Sequence, residues 1–380
     1  MGRPSFTSYD FEEATKSRGI KFETTSDGSR RASKSVTEKA EQRSRNTGKL
    51  DPSVDPAVMV IRRSLCPFEE TPDGRYVLSV GCPMDVESTC DTTGSMGDNV
   101  QTMIEVLPET YDTIAKVLPG YNVQLALGIF GDKCDRFVMN RPQFEMTAEK
   151  IVGYISNLVP ESAGGDAPED PQYAVFGAAY LTSTYTNRLG LKGYHFVITD
   201  APMHRDLDPD IIERIYGENV WQALKENGHP EITRTSLPDV YDLFKDLHKR
   251  AHAFLIEVDG PISDFNRFYD QAHRVCINDT RCLPAIEAAI IGLTEGTLQP
   301  MDVRQFLKDN QVSEINIRRA MDGLNNVRFD VQRELEQKSG NRIPQKGDIF
   351  ASKQDLQPAT LAEEAPVSED TNTDTSSSWL

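Results

Sequence analysis

At 380 residues, 38% apolar and 26% charged, the chain is long enough for one large domain with accessory segments and a substantial buried core. Its formal charge of −18 excludes a general polyanion binder, because phosphate backbones are held through excess Lys and Arg, so nucleic acid is not an expected partner. Six cysteines (Cys66, Cys82, Cys90, Cys134, Cys276, Cys282) without a C-x-x-C pair, and an N-terminus without an apolar signal segment, predict a cytoplasmic protein with reduced thiols. No run approaches the roughly 20 apolar residues that span a bilayer, and no membrane partner is expected.

Residues 1–56 are rich in Ser, Thr, Lys, Arg and Glu and carry no sustained periodicity, which predicts a disordered N-terminal segment. Val58–Ile61 and Tyr76–Val80 are short apolar runs on either side of Thr71-Pro72-Asp73-Gly74, the pattern of a hairpin. A third strand is expected over 83–90, although Asp85 and Glu87 make it more polar than a central strand should be.

That strand runs into Asp91-x-Thr93-x-Ser95, one carboxylate and two hydroxyls at alternate positions. These are hard oxygen ligands of the kind that suit Mg²⁺ or Ca²⁺ better than softer metals. Thr93 or Ser95 would equally serve as the cap of a following helix, whose first N–H groups need acceptors. On these residues alone the two readings stand level.

Apolar residues then recur at helical spacing from Val100 to Leu118, Pro119-Gly120 ends the helix, and Val123–Phe130 reads as a strand buried on both faces. A short strand is expected at 136–139 and helices at 147–158 and 171–182. Between those helices lies Gly164-Gly165-Asp166-Ala167-Pro168-Glu169-Asp170, in which two glycines permit close backbone approach and three acids follow. Tyr194–Asp200 is a strand ending in an acid, helices follow within 208–250, and 251–258 is another strand ending at Asp259.

This alternation predicts an α/β fold, doubly wound, with a mostly parallel central sheet and helices on both faces. Ligand sites in such sheets lie beyond the carboxyl ends of the strands. Asp91, Asp166 and Asp200 are each expected there, which turns the balance from helix cap to a shared cation.

In this order and context, Asp91-Thr92-Thr93-Gly94-Ser95, Gly164-Gly165-Asp166 and Val197-Ile198-Thr199-Asp200 resemble the three metal loops of a von Willebrand factor type A (VWA) domain. The similarity covers roughly 57–275. It implies a mostly parallel sheet with one antiparallel edge strand and a metal-ion-dependent adhesion site (MIDAS). The metal set carried over is Asp91, Thr93, Ser95, Asp166 and Asp200, with the hydroxyls as direct ligands and Asp91 and Asp200 acting mainly through water. The implied cofactor is Mg²⁺, with Mn²⁺ or Ca²⁺ as alternatives, and the implied partner is a protein presenting an acidic residue to the metal. Family analogy adds larger assemblies, some built around a ring-forming ATPase. One departure is Asp166, where many adhesive members have Thr; a carboxylate there strengthens metal retention and weakens the pull on an acidic ligand.

No enzyme is expected. Aspartate-based phosphatases resemble Asp-x-Asp-x-Thr, and Thr93 stands here where their general acid belongs. A metal-dependent hydrolase and a structural subunit whose metal only stabilises the fold are the competing readings. Cys90 and Cys134 are read as inert thiols, Cys276 and Cys282 as thiols able to close a small loop under oxidation, and His204 as a loop residue near the metal face. Beyond the domain, 276–339 is expected to form a helical extension and 340–380 a disordered acidic tail.

Overall fold

In the computed structural model, described for residues 13–14, 16, 22–24, 30–32, 37–65, 68–97, 99–161, 168–340 and 342–350, six strands form the central sheet. They are β1 (Cys82–Asp91), β2 (Tyr121–Phe130), β3 (Met139–Asn140), β4 (Gly193–Thr199), β5 (Ala251–Val258) and β6 (Arg274–Ile277). Their spatial order is β6-β5-β4-β1-β2-β3, and only β3 runs antiparallel to its neighbour. The fold is therefore the doubly wound, mostly parallel α/β class, with the single antiparallel edge strand that the VWA resemblance implies. Successive connections depart to opposite sides of the β1/β4 boundary, which makes that boundary the topological switch point.

Helices cover both faces. On one side α1 (Asn99–Val117), α2 (Ala148–Ile155) and α5 (Leu283–Glu295) share a core with Met84, Val86 and Cys90 of β1. On the other, α3 (Pro171–Tyr180) and α4 (Val240–Arg250) pack with Pro209–Tyr216 and Val220–Glu226 against Phe130, Val197 and Leu255. The helix α5 is buried from Leu283 to Thr294, so it covers the sheet, and β6 runs across position 275. Beyond it, α6 (Glu314–Leu324) contributes Ile317, Ala320 and Leu324 to the same core.

The sequence-based expectations need correction at four places, one of them the expected disordered tail, where Ile349–Phe350 pairs with Tyr76–Val77. The hairpin exists, but its first arm is Phe68–Glu70, paired with Tyr76–Leu78 around the expected turn; Val58–Ile61 forms no strand, and Arg62–Arg63 pairs instead with Thr182–Ser183. Within 1–56, Glu38–Thr47 forms a helix that buries Ala40 and Ser44 and ends at Gly48 in the left-handed region (φ 74°). The strand at 136–139 is only Met139–Asn140. Residues 351–380 of the expected acidic tail, and most of residues 1–36, lie outside the described residues.

β1 is central in spite of its acids because each has a buried partner. Glu87 pairs with the buried guanidinium of Arg62, and Asp85 accepts a hydrogen bond from Thr186 Oγ1 at 2.8 Å. Asp85, Glu87, Thr89 and Asp91 thus form a polar column on the α3 side of the sheet.

Candidate metal centre

β1 ends in Asp91, which is fully buried, and a buried carboxylate needs donors. Oδ1 accepts from the Thr93 N–H at 2.8 Å and from Thr93 Oγ1 at 2.7 Å, while Oδ2 accepts from Thr199 Oγ1 at 2.6 Å. Thr199 is the last residue of β4, so the hydrogen bond fastens the two strands that flank the switch point. Burial pushes the Asp91 pKa above its ordinary value, opposed by the Thr199 and Thr93 hydrogen bonds.

Ser95 is exposed and donates its hydroxyl to Asp200 Oδ1 at 2.8 Å, across 105 residues of sequence. Thr93 Oγ1 and Ser95 Oγ lie 3.5 Å apart. Four of the five expected metal residues, Asp91, Thr93, Ser95 and Asp200, are therefore brought together. The fifth, Asp166, lies outside the described residues. Among the described residues, neither hydroxyl accepts a hydrogen bond from a backbone N–H at the start of α1, and the Asn99 N–H goes to Met96 O at 2.8 Å.

The donor chemistry fits a hard cation. A hydroxyl has one hydrogen and two lone pairs. With the hydrogens of Thr93 and Ser95 committed to Asp91 and Asp200, the lone pairs of both oxygens remain to meet a positive ion. Among the described residues, no group of three or more His, Cys, Asp and Glu side chains is placed to hold a metal. The set found here is different in kind: two neutral hydroxyls between two carboxylates, unsuited to soft metals.

Glu169 was not among the expected metal residues, and it stands beside Thr93 and Asp91. Its side chain is buried, and Oε2 finds no hydrogen-bond partner among the described residues. Burial, and then the charge of Asp91, push its pKa up to about 8, with the nearby Thr93 hydroxyl opposing. The backbone holds it on both sides, donating from its N–H to Pro202 O at 2.8 Å and accepting from the His204 N–H at 2.9 Å. Its membership of the acidic run after Gly165 was the available signal; which acid of that run turns inward depends on packing against 202–204.

Asp170, also fully buried, accepts from the Lys133 N–H at 2.6 Å and from Gln172 Nε2 at 2.6 Å, tying the loop after β2 to the start of α3. His204 stands close enough to Asp170 to lower its pKa, against a larger rise from burial. Cys90 is buried with its thiol pushed well up by burial and by Asp91, the inert behaviour expected of it. Cys276 and Cys282 are free thiols; Cys276 donates to Glu257 and Cys282 to Asp279 O.

Comparison with known protein families and with curated proteins finds no match. Among solved structures, similarity is found to proximal thread matrix protein 1 from the mussel byssus, at 14% identity over 56% of this chain and 46% of that one, TM-score 0.35. The same protein with a zinc-occupied MIDAS motif matches at 13% identity over 57% and 46%, TM-score 0.36. The pilus adhesin SpaC from Lactobacillus rhamnosus GG, in its open conformation, matches at 10% identity over 61% and 32%, TM-score 0.37. The chain spans less than half the length of each, and likenesses of this size assign no function. No helix among the described residues is long and apolar enough to cross a membrane.

Proposed function

We propose that the chain is a VWA-type protein-interaction module that holds a divalent cation at Asp91, Thr93, Ser95 and Asp200 and binds an acidic group of a protein partner through it. Mg²⁺ is the cation best matched to the set, with Mn²⁺ and Ca²⁺ next. The observation that carries this reading is the commitment of both hydroxyl hydrogens to carboxylates, which turns the hydroxyl lone pairs toward a common ion.

When bound, the cation supplies a positive centre to which an incoming carboxylate is drawn. The chain's own groups set how strongly. Asp91 orients Thr93, Asp200 orients Ser95, and Thr199 fixes Asp91. By the resemblance, Asp166 would add negative charge beside the ion, favouring its retention over its pull on a partner. Asp91 is a poor candidate nucleophile, because it is fully buried with both oxygens already accepting hydrogen bonds, and this supports binding over hydrolysis.

Calorimetric titration with Mg²⁺ and Mn²⁺ tests the site directly. Thr93→Ala/Ser95→Ala is expected to weaken Mn²⁺ binding at least tenfold while the protein stays folded. Equal affinity in the double variant and the native chain would refute the assignment. Affinity purification with and without chelator then tests the partner: an acidic protein retained by the native chain is expected to be lost both with chelator and with the double variant.

A further inference from the structure

Parallel register places Asp91, Thr199, Glu257 and Cys276 in one transverse row at the carboxyl rim of the sheet. Ile198 pairs with Cys90, Thr199 with Glu257, and Glu257 with Cys276. Residues paired in adjacent parallel strands point to the same face, so the row that begins beneath the metal centre continues along the rim. Beyond β5 it opens into a groove of about 580 Å³ between the edge strand β6, the loop after β5 and α6. Neighbouring strands lie about 4.8 Å apart, so Cys276 stands roughly 10 Å from Thr199 and roughly 15 Å from Asp91.

The groove holds two arginines with different commitments. Arg274 is saturated, pairing with Glu257 and donating to Ile262 O at 2.9 Å and to Asn266. Arg319 reaches from α6 across the groove toward the loop after β5, where its Nη2 would lie 3.4 Å from a Cβ placed on Gly260. Its Nε is buried, and Arg319 makes no hydrogen bond or ion pair with any described residue. A guanidinium whose Nε has left water without gaining an acceptor is unfavourable, and an anion in the groove relieves that cost.

The charge of the walls selects the anion. Arg274 and Arg319 are balanced by Glu257 and Asp322, so a dianion meets two carboxylates with only one uncommitted cation. A planar monoanion, by contrast, matches the fork of a single guanidinium with two parallel hydrogen bonds. We propose that Arg319 forms a second carboxylate subsite, and that it receives an Asp or Glu side chain of an extended partner segment whose first acid lies at the metal centre. The metal part rests on the function proposed above; the Arg319 part does not. An extended peptide rises about 3.3 Å per residue and alternates its side chains, so acids six positions apart lie on one side and span about 20 Å, enough to cover the roughly 15 Å from Asp91 to Cys276 and the further step to Arg319.

The test uses the full chain and a fluorescent ten-residue peptide carrying two Glu residues six positions apart in a Gly/Ser background, read by anisotropy in Mg²⁺. Arg319→Met is expected to weaken binding about tenfold, to the level of a peptide with a single Glu, and Arg319→Lys to fall between. Chelator should weaken the two-Glu peptide and leave the remaining binding sensitive to Arg319→Met. Unchanged affinity in both Arg319 variants overturns the subsite whatever the metal does, whereas indifference to chelator and to Thr93→Ala overturns the metal reading alone. Inorganic phosphate should compete no better than acetate; stronger competition by phosphate would mean a general anion site and overturn the carboxylate assignment. Arg319 is partly exposed on its helix, and near-ultraviolet circular dichroism checks that the variants fold; should Arg319→Met unfold, Arg319→Lys carries the comparison.

Discussion

Thr199 holds the candidate site together from the far side of the switch point. Its hydroxyl is the only described donor to Asp91 Oδ2, and the two residues meet across adjacent strands that are distant in sequence. Thr199→Val keeps the shape and removes the donor, leaving a buried carboxylate oxygen unsatisfied. A loss of roughly 1–3 kcal/mol is expected in denaturant unfolding without added metal, with Thr199→Ser close to native. Glu287 makes a separate prediction from the opposite face. It is buried on α5, accepts from Ser88 Oγ at 2.8 Å, and burial pushes its pKa from an ordinary 4.5 up to about 7. Between those values the folded chain binds the proton more tightly than the unfolded chain, so stability falls as pH rises from about 4.5 to about 7, then stays at the lower level. Glu287→Gln removes the penalty, stabilising the fold above pH 7 by up to roughly 3 kcal/mol and making no such gain below pH 4.5. Chemical unfolding at pH 4 and pH 8 reads the difference; parallel profiles for the two proteins would show that Glu287 does not titrate as described.

At the scale of elements, α6 covers the outer edge of β6, an edge strand that would otherwise expose unpaired backbone. The contact is close enough to require glycine. A Cβ at Gly323 would lie 2.3 Å from Arg274 O and 2.9 Å from the Val275 Cα, both backbone atoms with no freedom to withdraw. Gly323→Ala is therefore expected to lower stability by about 1–3 kcal/mol despite alanine's better helix propensity, and thermal unfolding measures it. Gly323 also shows why some elements were legible and others were not. Its place in a helix follows from the apolar spacing of Ile317, Ala320 and Leu324, whereas its contact with β6 is a tertiary fact with no local signature. The same holds for β1, whose acids looked wrong for a central strand until Arg62 and Thr186 arrived from distant segments. Val58–Ile61 failed in the opposite direction. Its apolar character suited a strand, but the partner arm Phe68–Glu70, with two acids in three residues, gave little apolar signal.

For the molecule as a whole, the sheet turns a scattered set of acids into a local excess of negative charge. Asp91, Thr93, Ser95 and Asp200 were legible because a parallel sheet sends strand ends to one rim, so acids after successive strands must meet. Glu169 was not singled out, since burial against Pro202 and His204 decides its direction and no spacing rule encodes that. The buried acids Asp91, Asp132, Glu169 and Asp170 lie on this rim in a chain already carrying −18, and burial with mutual repulsion raises the pKa of Asp91, Glu169 and Asp170. A monovalent salt screens such a cluster only in general fashion. A divalent ion seated on the hydroxyls acts locally, and it stabilises the folded chain through preferential binding, by about 2.7 kcal/mol at a hundred times its Kd. Mg²⁺ should accordingly raise the Tm beyond NaCl of equal ionic strength, and Thr93→Ala/Ser95→Ala should erase the excess and leave the salt response unchanged. A Tm gain that chelator reverses, without any change in binding to acidic peptides, would instead describe a structural ion. Equal effects of Mg²⁺ and matched NaCl would leave the rim with screening alone and remove the cation from the account of this protein.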